Sequence, residues 1–335
     1  MEGSVRWMSA LLCLVWTMGC GEEFAPASLV DGLRVLAIEA SPPTIECDVS
    51  QTFKDLAAGR VEELSCSETS ELQALVHSSG DIQWKWSACL FDTTSSNAFA
   101  CADEALECCL SEEPTASFSL ASLMLAIGSG QCADGCTGSA EAGTSLVLTD
   151  SGREDLAREL AVIGDALHKS GALIRLVVTS GGAKVEAVKS VRFSSGETSN
   201  ANPVIASVMT NLQICEEPDA DGLCESTEEA VLEVAPKQTV RFILSVTEDS
   251  LEDHVDFLGE SAREEMQVFW FATSGEITAE SSFGQPAETK WVAPLASEWL
   301  VDSPIQLWFV VRDGRGGVTW TTRTMQRSLD SEESG

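Results

Sequence analysis

Hydrophobic and polar residues alternate along several short segments of the chain, with the period of two expected for β-strands that bury one face. In residues 82–88, Trp84 and Trp86 are predicted to face a core, while Lys85 and Ser87 face water. The same alternation predicts inward faces at Leu72, Ala74 and Val76; Ile174, Leu176 and Val178; Val240, Phe242, Leu244 and Val246; Met266, Val268, Trp270 and Ala272; and Ile305, Leu307, Phe309 and Val311. The pattern therefore predicts a mainly β protein.

These segments occur twice in the same order. Residues 82–88 (IQWKWSA) correspond to 268–274 (VFWFATS), and residues 174–188 correspond to 307–320. A glycine-rich stretch divides each of the later pair, and in the second copy it reads RDGRGG at 312–317. A phosphate-binding loop needs a helix after its glycines, whereas a strand follows here, so this stretch is predicted to be a hairpin turn. The sequence thus predicts an internal repeat of one β module.

The first copy of the module is interrupted. Ile174 follows Trp86 by 88 positions, whereas Leu307 follows Trp270 by 37, an excess of 51. We therefore expect a Cys-rich insertion at about residues 90–171.

One helix is predicted inside this insertion. Asp150 and Ser151 suit its N-terminal cap, and Gly171 suits its end. Its apolar face would be formed by Leu156, Leu160, Ile163 and Leu167. The insertion is either a disulfide-stabilised cover for an edge of the sandwich, which would block edge pairing, or a partner-binding surface.

The second half of the chain, about residues 203–326, resembles bacterial immunoglobulin-like and PKD-like domains. The resemblance rests on anchors in the right order and spacing: Phe269-Trp270, Gly275, Trp291-Val-Ala-Pro294 and Val310-Val-Arg-Asp-Gly314. It implies a seven-stranded sandwich with Trp270 packed between the sheets, and it brings no catalytic residues.

We therefore expect two immunoglobulin-like β-sandwiches in tandem, the first carrying the Cys-rich insertion with one α-helix. The predicted boundaries are 32–198 for the first domain and 203–326 for the second. A polar tail at 327–335 is predicted to be disordered.

The N-terminus has the pattern of an export signal. Arg6 precedes an apolar run at 7–18, which is shorter than the roughly 20 residues that a membrane-spanning helix needs. Gly19-Cys20 then resembles the lipobox of bacterial lipoproteins, in which the signal is removed before a Cys that becomes acylated. The alternative is a secreted protein cut elsewhere, for example after residues 25–27.

The resemblance implies a signal peptide at 1–19, palmitate-type acylation at Cys20 and a short tether at 20–31. The arrangement of lipobox, tether and two sandwiches resembles uncharacterised lipoproteins of Gram-negative bacteria. Gly21 is not the Asp that retains such lipoproteins in the inner membrane of enteric bacteria, so we expect an outer-membrane location. Acyl chains contribute about 0.8 kcal/mol per buried methylene, which is enough for two or three chains to hold the protein at the membrane.

The net charge of −33 narrows the possible partners. Affinity for nucleic acids comes mostly from Lys and Arg that neutralise phosphates, so a nucleic-acid partner is not expected. Anionic headgroups would also repel this surface, so the predicted contact with the membrane is the lipid alone.

Ten cysteines remain after the leader and Cys20, and an even number in an exported chain predicts disulfides. The candidates are Cys47, Cys66, Cys89, Cys101, Cys108, Cys109, Cys132, Cys136, Cys215 and Cys224. Cys215 and Cys224 are the easiest pair to assign, because a disulfide between them would close the loop at 215–224. Cys108 and Cys109 are adjacent and are expected to have different partners, because a bridge between neighbours is strained.

Catalytic and metal-binding motifs are scarce. The three histidines are isolated, and neither a zinc-protease motif nor a nucleophile elbow is present. The acidic stretch 216–225 resembles a fragment of a calcium loop, with Asp219, Asp221 and Glu225 as possible ligands. The alternative is that this stretch is a solvated acidic turn without a metal.

These patterns predict a protein that is not an enzyme and has no cofactor other than possible calcium. We expect a lipid-anchored cell-envelope protein with a structural, adhesive or protein-binding role towards an envelope or surface protein. The alternatives are a calcium-assisted adhesive module and an envelope hydrolase without a local motif.

Overall fold

The computed structural model describes residues 26–57, 66, 68–89, 107–129, 132, 167, 171–194, 200–212, 223–226, 230–255, 260–299 and 303–328. Within these ranges the chain forms two mainly β modules. The predicted signal peptide and Cys20 lie outside the described residues. The same is true of almost all of the helix predicted in the insertion, of which Leu167 alone is described; it is helical and buried.

Among the residues that the structure describes, the first module contains eight strands in two sheets. Their bounds are β1 Arg34–Ser41, β2 Thr44–Glu46, β3 Ser70–His77, β4 Gln83–Cys89, β5 Cys108–Ser111, β6 Thr115–Phe118, β7 Ala172–Ser180 and β8 Ala183–Ser194. One sheet has the order β1-β3-β6 and the other has the order β2-β8-β7-β4-β5. The helices whose bounds fall in the described part of this module are α1 Val49–Ala57 and α2 Leu120–Ser129.

The second module begins with β9 Ile205–Thr210, β10 Cys224–Glu225, β11 Val231–Val234 and β12 Thr239–Val246. A short 3-10 helix, Glu248–Ser250, leads into a small hairpin of β13 Asp253–Val255 and β14 Ser261–Arg263. The remaining strands are β15 Gln267–Ala272, β16 Glu276–Ile277, β17 Ser281–Phe283, β18 Ala287–Val292, β19 Ile305–Arg312 and β20 Val318–Arg327. The two main sheets have the orders β10-β9-β12-β18-β16 and β11-β20-β19-β15-β17.

The two modules repeat one strand arrangement. The order β2-β8-β7-β4-β5 corresponds strand for strand to β11-β20-β19-β15-β17, and β1-β3-β6 corresponds to β9-β12-β18. In both modules an early short strand pairs in parallel with the last strand, β2 with β8 and β11 with β20. Two packed, mainly antiparallel sheets with this order form an immunoglobulin-like sandwich. The predicted fold class and internal repeat are therefore confirmed.

Each module has its own core, and in each a buried tryptophan lies on the equivalent strand. Trp86 on β4 and Trp270 on β15 occupy equivalent places, and both side chains have 0% exposure. The Trp270 ring contacts Phe309 edge-on, with ring centroids 5.0 Å apart. Each indole N–H donates a hydrogen bond, from Trp86 to the carbonyl of Glu113 and from Trp270 to the hydroxyl of Ser282. Buried tryptophans normally need such a partner.

The structure differs from the sequence prediction within the first module. Ser87, expected to face water, is only 1% exposed, because Glu107 covers it and accepts a hydrogen bond from its hydroxyl. Strands β5 and β6 fall inside the range predicted as an insertion, yet they pair with β4 and β3 as sandwich strands. The length excess could not locate the extra residues within the 86–174 interval, so the predicted insertion took in these strands.

For two disulfides, both cysteines lie among the described residues. These are Cys47–Cys66 beside α1 and Cys108–Cys132 beside α2. Cys89, Cys109 and Cys224 are also disulfide-bonded. Cys109 therefore has a different partner from Cys108, as predicted. Cys101, Cys136 and Cys215 lie outside the described residues, and the Cys215–Cys224 pairing stays a prediction.

The segment predicted as a tether is partly built into the second module. The backbone N–H of Val30 donates to the carbonyl of Ala272 at 2.9 Å, and the N–H of Ala272 donates to the carbonyl of Ser28 at 2.9 Å. Val30 is 1% exposed. Residues 28–30 thus extend the β15 edge of the second sandwich before the chain enters the first one.

Candidate binding groove at the junction of the two modules

An apolar contact joins the outer faces of two sheets, one from each module. On the first module, Leu36 and Ala37 of β1 and Leu75 of β3 face outward. They pack against Trp308 and Val310 of β19, which point away from the core of the second module. Strand β19 is consequently buried on both faces, as its run of five apolar residues from Leu307 to Val311 allows.

The loop between β19 and β20 adds a polar contact beside this apolar one. The Asp313 side chain is 4% exposed and its carboxylate fills the turn. Oδ1 accepts backbone N–H groups from Arg315 at 2.7 Å, Gly316 at 2.9 Å and Gly317 at 2.9 Å. The turn predicted at 312–317 is therefore confirmed, and the anion that its backbone amides bind is the loop's own aspartate.

The linker between the modules is tied to this loop. The Asn200 side-chain amide donates to Asp313 Oδ2 at 2.8 Å. Asn202 uses both of its polar atoms, since its amide N–H donates to the carbonyl of Ala40 at 2.8 Å and its oxygen accepts the N–H of Val318 at 2.9 Å. The linker asparagines therefore join the first module, the linker and the second module in one hydrogen-bond network.

A buried lysine crosses the junction. Lys189 of β8 is 9% exposed, and its ammonium donates to the carbonyl of Gly316. Burial lowers the pKa of Lys189 to about 8, although Asp313 and Glu39 oppose the shift. Burial likewise raises the pKa of Glu39. Lys189, Gly316 and Arg312 line a small cavity of 260 Å³ at this place.

Arg315 fixes the far side of the loop. One of its guanidinium nitrogens lies 2.7 Å from Glu264 and 3.1 Å from Glu252. The Glu264 side chain is 1% exposed, and burial followed by the charge of Asp313 raises the pKa of its carboxyl. Arg315 is thus the counter-charge for a buried carboxylate.

A groove of 340 Å³ runs along the same junction. Its floor is formed by Phe269 and Phe271 of β15, which are only partly buried. One wall is the start of β1, and the opposite wall is the N-terminal segment with residues 280–281. The groove therefore exists only because the first module and residues 27–28 pack beside the second sandwich.

Two arginines line this groove. The Arg34 guanidinium lies over the ring of Phe271, 5.4 Å from its centroid, and the Arg312 guanidinium lies over the ring of Phe269 at 4.8 Å. Arg34 also donates to the carbonyl of Leu29 at 3.2 Å. Arg312 is exposed to solvent overall. Its guanidinium is partly desolvated, which lowers the pKa of this group. Neither arginine contacts a carboxylate of the described residues.

The site residues predicted from the sequence are not brought together here. Cys20, Asp219 and Asp221 lie outside the described residues, so the lipidation and calcium sites stay predictions. Glu225 is exposed on β10, which pairs with β9 away from the groove. Among the described residues, no group of three or more His, Cys, Asp or Glu side chains is placed to hold a metal ion.

Within the ranges that the structure describes, no helix is long and apolar enough to cross a membrane. The groove is not predicted by the pattern of apolar and polar residues in the sequence. Its one detectable signal was the uninterrupted apolar run of β19, because a strand that is apolar on both faces must be covered on both.

Comparisons with known proteins add little to this geometry. No family model and no curated protein sequence matches the chain. A nucleoside hydrolase-related hypothetical protein from Saccharophagus degradans is similar with a TM-score of 0.26 and 12% identity, over 56% of this chain and 34% of that one. This chain therefore spans about a third of that protein's length.

Structures of titin are also similar. A chimeric titin Z1Z2 structure matches with a TM-score of 0.20 and 8% identity, over 78% of this chain and 88% of that one. A three-Ig structure of titin, an E-to-A mutated variant, matches with a TM-score of 0.20 and 10% identity, over 78% and 59%. Likenesses this weak carry no argument, and the immunoglobulin-like assignment comes from strand order and pairing.

Proposed function

We propose that this protein is a lipid-anchored, non-catalytic component of a bacterial cell envelope, held at the outer membrane by acylated Cys20, that binds another protein through its paired immunoglobulin-like modules. The observation that carries the binding role is the groove between the modules. It is a concave, partly apolar surface with two accessible arginines, which is the composition of a recognition site.

The chemistry of the junction supports a role without catalysis. Its buried charged groups already have structural partners, since Asp313 accepts backbone N–H groups and Glu264 is paired with Arg315. A general acid or base needs a free proton-transfer position facing a substrate. The hydrogen bonds of Asp313 and Glu264 are made within the protein, where they fix the loop between β19 and β20.

The anchor is supported by the lipobox-like Gly19-Cys20 and by the path of the chain that follows. Residues 28–30 are already paired with β15. Few residues therefore separate Cys20 from the folded body, so an acyl chain there would keep the modules close to the membrane surface.

The test is the intact mass of the full-length product extracted from the membranes of a Gram-negative host, with and without reduction. We expect a chain that begins at Cys20 and is heavier by several acyl chains. Replacement of Cys20 by Ser should abolish the added mass and release the protein from the membrane fraction. A wild-type chain without lipid, cut elsewhere, would contradict the anchor.

A further inference from the structure

We propose that the groove binds an extended segment of a partner protein that presents a single carboxylate next to an apolar side chain. This proposal rests on the protein-binding function proposed above and names the chemistry of its ligand. Arg34 and Arg312 would hold the carboxylate, and Phe269 with Phe271 would contact the apolar side chain.

Arg34 and Arg312 have an aromatic ring as their partner, and neither contacts a carboxylate of the described residues. The chain has 53 acidic residues against 20 Lys and Arg, so a carboxylate is easy to place beside any arginine. Arg175, Arg241, Arg263 and Arg315 each hold one. Among the described residues, Arg312 contacts no carboxylate and lies over Phe269 instead. Arg34 and Arg192 also contact no described carboxylate, so it is the position over an aromatic ring of the groove that distinguishes Arg34 and Arg312 and suits them to an external carboxylate.

The stacking on an aromatic ring leaves the hydrogen-bond donors of the guanidinium edge available. An arginine that lies over an aromatic ring uses the flat face of its guanidinium and leaves the N–H groups at its edge free. Those edge groups match the two oxygens of a carboxylate and can donate to both at once. The ring therefore holds the guanidinium in place without using the donors that a carboxylate would need.

The strand register around Arg312 favours a peptide over a small carboxylate ion as the ligand. On β15, Gln267 pairs with Arg312 on one side and with Phe283 on the other, so these three residues form one row across the sheet. Phe283 is 63% exposed. Adjacent strands are about 4.8 Å apart, which places Phe283 roughly 10 Å from Arg312 across the sheet. Phe283 is not part of the groove lining, so a ligand that reaches from Arg312 to this exposed ring must be extended and must continue beyond the groove.

The opposite wall limits the acidity of the ligand. Glu280 lines the groove, and its carboxylate accepts the backbone N–H of Ser28 at 3.4 Å. Two positive charges therefore face one negative charge. One carboxylate is favoured, whereas a run of acidic residues would be repelled by Glu280 and by the net charge of the protein.

The experiment is selection of linear peptides from a random displayed library on the detergent-solubilised mature protein. We expect enrichment of peptides that carry one Asp or Glu beside Phe, Leu, Ile or Val. A chain of charge −33 would enrich basic peptides through non-specific attraction, so acidic selection is diagnostic. Enrichment of basic peptides, or of none, would overturn the proposal.

The selected peptide is then measured by fluorescence anisotropy against matched variants. Arg312→Gln, and Asp→Asn in the peptide, should each weaken binding about tenfold or more, because each removes a charge-assisted pair. Arg312→Lys should fall between, since it keeps the charge but loses the planar fork. Arg241→Gln is the control and should bind like the wild type, because Arg241 pairs with Glu288 on the other sheet.

Two results would overturn the assignment even if a peptide is selected. One is unchanged binding by Arg312→Gln at an unchanged melting temperature. The other is equal affinity for 3-phenylpropionate, which would make the ligand a small carboxylate. Loss of the lipid anchor in the mass measurement would leave these results unaffected, so failure of the anchor and failure of the groove are distinguishable.

Discussion

The hairpins β7–β8 and β19–β20 occupy the same place in the two modules, but their turns make different contacts. In the first, Gly181 and Gly182 turn the chain with positive φ angles of 56° and 86°, and an added Cβ would meet nothing within 4 Å at either glycine. In the second, a Cβ at Gly317 would lie 2.1 Å from Asp313 Oδ2 and 2.8 Å from the carbonyl of Ala201 in the linker. One hairpin is an open turn, and the other is packed into the junction.

The difference shows how a repeated element gains a new role through a few residues. The turn of the first hairpin is flanked by Ser180, whose hydroxyl bonds that of Ser78 within the same module at 2.8 Å. The corresponding loop in the second module has Asp313, which reaches the linker, and Gly316, whose carbonyl meets Lys189 of the other module. The second hairpin therefore connects the two modules, and the groove depends on that connection.

The largest expected effect comes from removing the carboxylate of the second hairpin. Asp313→Ala should lower the free energy of unfolding by about 3 to 5 kcal/mol, because three backbone N–H groups lose a buried charged acceptor. Ser180→Ala in the first hairpin should cost no more than about 1 kcal/mol, the value of one neutral hydrogen bond. Urea unfolding of both variants measures the contrast, and equal losses would contradict it.

Loss of the ion pair between Arg315 and Glu264 should have the next largest effect on stability. Arg315→Met leaves Glu264 buried without its counter-charge and should cost about 2 to 3 kcal/mol. Arg241→Met breaks the more exposed pair with Glu288 and should cost at most about 1 kcal/mol. Thermal melting at pH 7 compares the two. If the loss for Arg315→Met is no larger than the loss for Arg241→Met, the Glu264 carboxylate does not depend on Arg315 as its counter-charge.

The pH dependence of stability tests the buried lysine. The pKa of Lys189 falls from 10.5 to about 8 on folding, so the unfolded chain binds more protons between these values. Stability should therefore rise with pH, by about 2 kcal/mol between pH 7 and 9.5. The chain has no Tyr to titrate in this range.

Lys189→Met should remove that gain, because the substituted side chain does not titrate. The measurement is urea unfolding of both proteins at a series of pH values. Parallel curves for wild type and variant would contradict the burial of this ammonium at the junction.

The smallest effect is expected in the groove. Arg312→Gln removes a cation–π contact at an accessible position and should cost less than about 1 kcal/mol. Its melting temperature should therefore stay close to that of the wild type, whatever its effect on peptide binding. A large loss of stability would show that Arg312 is structural, and the interpretation of the groove would then fail.

Sequence pattern predicted the inner faces of the sandwiches well. Trp270, Phe309 and Leu244 follow strict alternation, and each is buried in the second core. The outer faces could not be predicted in the same way. Alternation identifies two faces of a strand, but it does not say that Leu36 of the first module will cover Trp308 of the second.

The groove depends on contacts between distant parts of the chain. Arg34 and Arg312 are almost 280 positions apart in the sequence, yet both line the groove formed by β1 and β15. Helix α1 was also not predicted, although the residues that indicate its start are close to each other in the sequence. Asp48 accepts the backbone N–H of Gln51 at 2.8 Å, as an N-cap does, and this capping pattern was present in the sequence.

Hydrogen exchange of the Asp313→Ala protein, followed peptide by peptide, tests most directly whether the second hairpin joins the modules. The account predicts faster exchange in β1 and β8 of the first module as well as in β19 and β20, because the loop, the linker and Lys189 share one network. Faster exchange confined to the second module, with β1 and β8 unchanged, would contradict it.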